Sequence, residues 1–147
     1  MLSETLKGCG SIVSNLNLRE TQLDDECMKY LGDYIQNNEY LEILQIWANK
    51  ITDQGVEVLS EYLIGNRSLK GLLMGGCVAI TDASHHCFID IAKGSCIIKI
   101  DLLYTSVSDD VRRQIDETLS IPIDQRQIPI KSNSKSAAKI SKVLLKQ

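Results

Sequence analysis

The stretch LEILQIWANKITDQGVEVL, residues 41–59, changes its hydrophobic spacing partway along. Up to Asn49 the apolar residues have the inward alternation of a short strand, and beyond it they recur at helical spacing. Thr52 and Asp53 stand at the change, where a capping side chain and a negative charge suit the unpaired amide groups of a helix start. The stretch therefore predicts a strand, a turn and a helix in succession.

The same pattern recurs with a period of 28 residues. Shifting the chain by 28 places apolar residues on apolar residues, and it also places Asn38 on Asn66. Residues 1–121 divide in this way into a partial N-terminal unit and four further units, of which the third takes one extra residue before its ITD triplet. The four units span residues 13–40, 41–68, 69–96 and 97–121.

A unit of this kind buries its strand and the flank of its helix only against its neighbours, so the units must stack. Strands stack at roughly 4.8 Å, whereas packed helices need about 8 to 10 Å. This mismatch bends the stack. The sequence therefore predicts an α/β solenoid that forms a short arc, with a parallel β-sheet on the concave side and helices on the convex side.

Residues 41–66 resemble a unit of the ribonuclease-inhibitor-like class of leucine-rich repeat proteins. The repeat of that class reads LxxLxLxxNxL(T)xxG, and it matches Leu41, Leu44, Ile46, Asn49, Ile51, Thr52 and Gly55 in place. The third unit departs most, with Gly75, Gly76 and Cys77 in place of the expected residues, and Ser84 and Val111 stand where Gly55 does. The class includes inhibitors, GTPase-activating proteins, actin-filament cappers and scaffolds, so the resemblance implies a fold and no single function.

A candidate partner-binding site follows from aligning the solvent-facing positions of the four strands. The first row is Asn17, Gln45, Leu73 and Asp101, the second is Arg19, Trp47, Gly75 and Leu103, and the third is Glu20, Ala48, Gly76 and Tyr104. We interpret Trp47, Leu73, Leu103 and Tyr104 as the anchor of a protein or peptide interface. Arg19, Glu20 and Asp101 would form its polar rim, beside Gln45.

The two glycines of the third unit are expected to leave a notch, floored by backbone, between Trp47 and Leu103. The alternative to an exposed anchor is that Trp47 folds over its own neighbours or is covered by the C-terminal tail. The N-terminal edge suggests a second contact, because residues 1–11 supply barely part of a helix as a cap. Either another chain or further units of a longer array would cover it.

Residues 122–147 are predicted to form a C-terminal cap and a basic tail. Prolines at 122 and 129 disfavour a further β-strand or helix, because proline lacks the amide proton that either would need. This suggests an extended cap in which isoleucines at 121, 123, 128 and 130 cover the last unit. From residue 124 onward there are six basic residues and one acidic residue, whereas residues 1–123 carry ten basic and 18 acidic residues. The tail would dock on an acidic protein surface or stay solvated, and nucleic acid and membranes are disfavoured as partners.

The chain offers little for catalysis. The cluster His85-His86-Cys87, flanked by Cys77 and Cys96, lacks the spacing of a zinc site, and the glycine-rich stretches lack a phosphate-loop pattern. We expect both histidines to be exposed near a helix start, Cys87 to face the core, and the five cysteines to be reduced and mostly buried. No enzyme activity, cofactor or metal is predicted.

Two functions remain open. The chain has no apolar run of 18 residues and no secretory signal at its N-terminus, which favours a cytoplasmic protein, and the resemblance adds association with the cytoskeleton. The first function is a non-catalytic interaction module or scaffold subunit that holds a protein partner in its concave face. The second is a regulator of a partner enzyme, of the inhibitor or GTPase-activating type.

Overall fold

The computed structural model describes residues 12–130 of the 147-residue chain. Within them the strands and helices alternate along the chain and form one four-stranded parallel sheet in chain order, with the helices on its other side. This is the predicted short arc, with the sheet on the concave side. The strands are β1 (Asn15–Asn17), β2 (Ile43–Gln45), β3 (Gly71–Leu73) and β4 (Lys99–Asp101). The helices are α1 (Asp25–Gln36), α2 (Asp53–Leu63), α3 (His85–Gly94) and α4 (Asp109–Leu119), with 3₁₀ turns at Asp82–Ser84 and Ile123–Gln125.

The strand register reproduces the 28-residue period. The middle residues Leu16, Leu44, Leu72 and Ile100 are paired in sequence across the sheet and point into the core. The extra residue of the third unit falls after β3, in the turn that leads to Ile80, so it does not shift the pairing of β3 with β4. The repeat read from the sequence is therefore the register of the sheet.

Asn49 pairs backbone groups at the turn that follows β2, as its position in the repeat predicts. Its side chain is buried, its Oδ1 accepts from the amides of Thr21 and Leu23 at 3.1 and 3.0 Å, and its Nδ2 donates to the carbonyls of Leu18 and Ile46 at 2.9 Å each. Four backbone groups freed by the turns of two units are thereby paired. Leaving them buried and unpaired would cost about 1–3 kcal/mol for each group.

Each helix start is tied to the next unit by an aspartate. Asp25 accepts from the amide and hydroxyl of Thr52 at 2.8 and 2.6 Å, and Asp53 accepts from the amide and hydroxyl of Thr81 at 2.9 and 2.6 Å. Gly55 leaves the space that the Asp25 carboxylate occupies, since a Cβ there would overlap it. We call this series of inter-unit contacts the aspartate ladder.

The third unit replaces the glycine of the ladder by a serine without losing the contact. Ser84, where the sequence departs from Gly55, donates its hydroxyl to Oδ1 of Asp53 at 2.5 Å. In the last unit Asp82 continues the ladder by accepting from the amide of Ser108 at 2.7 Å. The third unit thus keeps the inter-unit contact through the Ser84 hydroxyl, although a 3₁₀ turn at Asp82–Ser84 precedes its helix.

The prediction that four isoleucines cover the last unit is wrong. Ile121 and Ile123 are 37% exposed and Ile130 is 90% exposed, and Ile128 is only half-buried. The reason lies in α4, whose buried residues are a single stripe of Val111, Ile115 and Leu119, so that its outer side is charged and needs little apolar cover.

Arg126 holds the C-terminal segment in place instead. Its guanidinium donates to the carbonyls of Ser95, Ile97 and Leu119 at 3.1, 2.5 and 2.6 Å, and its Nε donates to the carbonyl of Ile121 at 2.9 Å. Four carbonyl oxygens at the end of the stack are paired in this way with one cation. We call this arrangement the Arg126 clamp.

Candidate partner-binding surface

The concave wall presents the predicted rows in the predicted register. Gln45 is paired with Asn17 and with Leu73, and Leu73 is paired with Asp101. Tyr104 is 75% exposed and Leu103 is 53% exposed, whereas Trp47 and Leu73 are half-buried. All four proposed anchor residues therefore reach solvent on the concave side, two of them only in part.

The indole of Trp47 lies flat at the centre of the wall. Its Nε1 donates to Oδ2 of Asp101, two strands away, at 3.1 Å, while Oδ1 of Asp101 accepts from the amide of Leu103 at 3.0 Å. The ring lies directly on Gly75, where an added Cβ would overlap it. The predicted notch between Trp47 and Leu103 is therefore filled by the indole itself. The alternative that Trp47 folds over its neighbours is in this respect correct.

Two further side chains hold the ring from other sides. The guanidinium carbon of Arg19 lies 5.2 Å from the centroid of the Trp47 ring, within the range of a cation–π contact. The ring of Tyr104 meets the indole edge-on, with centroids 6.2 Å apart and planes at 70°. We call Arg19, Trp47, Asp101, Leu103 and Tyr104 the Trp47 cluster. These contacts fix the orientation of the indole before any partner arrives.

The third row of the wall has a left-handed backbone in every unit. Glu20, Ala48, Gly76 and Tyr104 have φ values of 53°, 52°, 73° and 60°. This conformation suits the glycine of the third unit, and it is uncommon for other residues and disfavours bulky ones. Tyr104 thus combines an unfavourable backbone with an exposed aromatic ring.

The wall has a fourth row that is absent from the predicted site. Asn15, Ile43, Gly71 and Lys99 precede the first row by two residues in each strand and are paired across the sheet. Ile43 is 36% exposed, and Nε2 of Gln45 donates to Oδ1 of Asn15 at 3.0 Å. The alternation that placed the other rows would have found this one, because residues two apart in a strand share a face.

The concave wall carries no net charge, whereas the rest of the described chain is acidic. Its sixteen positions include two basic residues, Arg19 and Lys99, and two acidic ones, Glu20 and Asp101. Residues 12–130 as a whole contain 10 basic and 18 acidic residues. The net charge of -8 therefore lies entirely off the wall.

The histidine cluster differs from its prediction in one respect. His86 is exposed, but His85 is half-buried, and its Nε2 is buried without a hydrogen-bond partner. Cys87 is buried as predicted, and burial raises the pKa of its thiol, which disfavours the reactive thiolate. Among residues 12–130 the cysteines are free thiols, and no group of three metal-ligating side chains comes together. In the same part of the chain, no helix is long and apolar enough to cross a bilayer.

The chain resembles known leucine-rich repeat proteins, although no family model matches it. Human "NACHT, LRR and PYD domains-containing protein 13" is 26% identical over 109 residues, which are 74% of this chain and 10% of that protein. The chain thus spans about a tenth of the curated relative that it matches. The solved structure "Leiomodin-1 Actin-Binding Site 2 (ABS2)" is similar with a TM-score of 0.62 at 10% identity, covering 97% of this chain and 84% of that one. Together with the sheet topology, these likenesses show a fold of the leucine-rich-repeat type.

Proposed function

We propose that this protein is a non-catalytic interaction module of the ribonuclease-inhibitor-like class, and that it binds a partner protein through its concave wall. The observation that carries the proposal is Tyr104, an exposed aromatic residue in a left-handed backbone beside a pre-oriented indole. A left-handed conformation costs an L-residue roughly 1–2 kcal/mol. Nothing in the fold requires an aromatic residue there, because Gly76 occupies the same position one unit earlier.

The Trp47 cluster has the composition of an interface anchor. Trp, Tyr and Arg are the residues most enriched among those whose truncation costs about 2 kcal/mol or more of binding energy. The contacts of Arg19 and Asp101 hold the indole in place, so a partner would lose little entropy in ordering it. The neutral wall favours a partner surface with apolar side chains and balanced charge. The acidic remainder would repel acidic proteins from other directions.

Actin is a specific first candidate for the partner. The leiomodin structure that resembles this chain is named as an actin-binding site, and a role in a cytoplasmic, cytoskeleton-associated assembly would agree with it. The likeness supports the fold alone at this level of identity. Co-sedimentation with purified actin tests this candidate directly.

The test compares two substitutions at the same position of the repeat. Tyr104→Gly removes the aromatic ring and relieves the left-handed backbone, whereas Ala48→Gly relieves the backbone and leaves the Trp47 cluster intact. We expect both variants to stay within about 1 kcal/mol of the parent in free energy of unfolding, since the relief of strain offsets the flexibility of glycine. Partner affinity should fall at least about tenfold for Tyr104→Gly only.

Binding is measured by affinity capture from lysate with each variant as bait, and by co-sedimentation with purified actin. Proteins that Tyr104→Gly loses and Ala48→Gly retains are partners of the concave wall. If both variants capture the same proteins as the parent, the proposal is wrong. An added assay of the captured partner's catalytic rate separates a scaffold, which leaves that rate unchanged, from the regulator alternative.

A further inference from the structure

The C-terminal segment runs back across the stack on the side where helices end and strands begin. The Arg126 clamp fixes it to the loop between α3 and β4. Two residues later, the carbonyl of Ile128 accepts from Arg67, which lies in the loop between α2 and β3, at 3.5 Å. The segment therefore passes the units in reverse order.

The segment reaches the first described unit at Ile130. This residue lines a groove of about 440 Å³ between two loops: residues 65–68 of the second unit form one side, and Gln36, Asn38 and Glu39, at and just after the end of α1, form the other. Residues 131–147 lie outside the described residues, and they follow directly from this point. Their starting position is beside the C-terminal end of α1.

The N-terminal side of that unit has core side chains with partial exposure. Val13, Leu16, Leu18 and Leu23 pack on the core but are only half-buried. Their counterparts one unit later are Leu41, Leu44, Ile46 and Ile51, and all four are 0% exposed. A neighbouring unit buries each counterpart, whereas in the first unit these side chains keep a partly exposed apolar surface.

The charges of this unit and of the chain end are opposite. Residues 12–40 contain six acidic and two basic residues, and their net charge of -4 is half of the total for residues 12–130. Residues 131–147 contain five lysines and no acidic residue, and they also contain Ile140, Val143, Leu144 and Leu145. The segment thus carries the charge opposite to that of the first unit, together with apolar side chains that can cover its half-buried core.

The length of the segment is sufficient. A helix of the length of α1, 12 residues, spans about 18 Å, and 17 residues span about 25 Å even in the most compact regular form, a helix. Starting beside the end of α1, residues 131–147 can cross the whole unit.

We propose that residues 131–147 dock in cis on the N-terminal side of the first unit, formed by β1 and α1. Their lysines meet the acidic residues of that unit, and their apolar side chains cover its half-buried core. The last part of the chain would thus cap the first part of the stack. Of the Trp47 cluster only Arg19 belongs to this unit, and the tests below do not use that cluster, so the proposal stands or falls independently of the proposed function.

The first test is carbodiimide crosslinking of the full chain, which joins lysines to carboxylates in direct contact. An equimolar mixture of ¹⁵N-labelled and unlabelled protein is used, and the products are mapped by mass spectrometry. We expect lysines 131–146 to crosslink mainly to carboxylates in residues 12–40 of the same molecule. Twelve of the 19 acidic residues lie beyond residue 40, so undirected encounters would place most crosslinks there.

Three outcomes would overturn the proposal: crosslinks spread over the carboxylates beyond residue 40, mixed-isotope crosslinks that indicate a second copy, or no crosslinks from the segment. The second test is hydrogen exchange in the full-chain variant Val143→Ser/Leu144→Ser. Amides of β1 and α1 should exchange at least about fivefold faster than in the parent. The control is Val78→Ser, at a residue that is 70% exposed in the third unit, and it should change nothing there.

Discussion

At the scale of single residues, the contact between Trp47 and Gly75 decides the shape of the concave wall. The strand alternation predicted correctly that Trp47 points to the concave side, because that direction depends on backbone position alone. The path of the indole along the wall depends on side-chain torsions and on a hydrogen-bond acceptor 54 residues away. A pattern of residue types does not contain that information, so the filled notch could not be predicted.

Gly75→Ala should displace the indole from the wall. An added Cβ would overlap the ring, whereas at Gly71, four residues earlier in the same unit, the nearest atom to such a Cβ is Ile43 Cγ1 at an ordinary 3.8 Å. We expect Gly75→Ala to make Trp47 fluorescence more accessible to acrylamide quenching and to weaken partner binding at least about tenfold. Gly71→Ala serves as the matched control and should change neither quantity. An unchanged quenching constant in Gly75→Ala would contradict the described position of the ring.

At the scale of elements, the aspartate ladder shows which features of the repeat can be predicted from the sequence. Threonine–aspartate pairs at 52–53 and 81–82 marked the helical starts of the second and third units, and the structure confirms side-chain caps at Thr52 and Thr81. The same aspartates also bond to the following unit, which the local pattern could not reveal. That contact depends on how two units are offset in space, and Ser84 takes part in it only because a hydroxyl replaces the hydrogen of glycine.

Asp53→Asn should destabilise the protein and flatten the pH dependence of its stability. Burial alone would raise the pKa of Asp53, but hydrogen bonds from Ser84 and Thr81 outweigh it and hold the pKa below its ordinary value of 3.8. Because the folded-state pKa lies below the unfolded one, the carboxylate stabilises the fold above about pH 4, and this contribution is lost as the pH falls through the folded-state pKa.

At neutral pH we expect the substitution to cost about 1–2 kcal/mol, since the amide replaces an acceptor with a donor. Urea unfolding at a series of pH values between 2 and 7 measures both effects. The exposed Asp124→Asn is the control and should leave the curve unchanged. An Asp53→Asn curve parallel to that of the parent would show that the ladder does not contribute to acid stability.

At the scale of the whole molecule, the Arg126 clamp keeps the end of the stack closed. The arc and the order of its units followed from the repeat, because stacking is dictated by the period. The path of residues 121–130 could not be predicted in this way. Four isoleucines near two prolines suggested apolar cover, and a single arginine gave no sign of its role. Its partners are backbone carbonyls, which every sequence contains.

Arg126→Lys should lower the melting temperature by roughly 3–6 °C. An ammonium group cannot satisfy the four carbonyls that the planar guanidinium reaches, and the loss of charged hydrogen bonds of this kind costs about 1–2 kcal/mol. The control is Arg67→Lys, which affects a single long contact of 3.5 Å to the same segment and should shift the melting temperature by less than about 1 °C. Equal shifts in the two variants, measured by calorimetry, would show that the clamp has no special role.

The extra residue of the third unit has a practical consequence for labelling this protein. It lies in the turn at Val78 and Ala79, both exposed, and the neighbouring strands keep their pairing around it. The turn therefore already tolerates added length at no cost to the sheet. A short epitope or a fluorophore-accepting peptide inserted there would report on the intact molecule while leaving both ends of the chain unmodified.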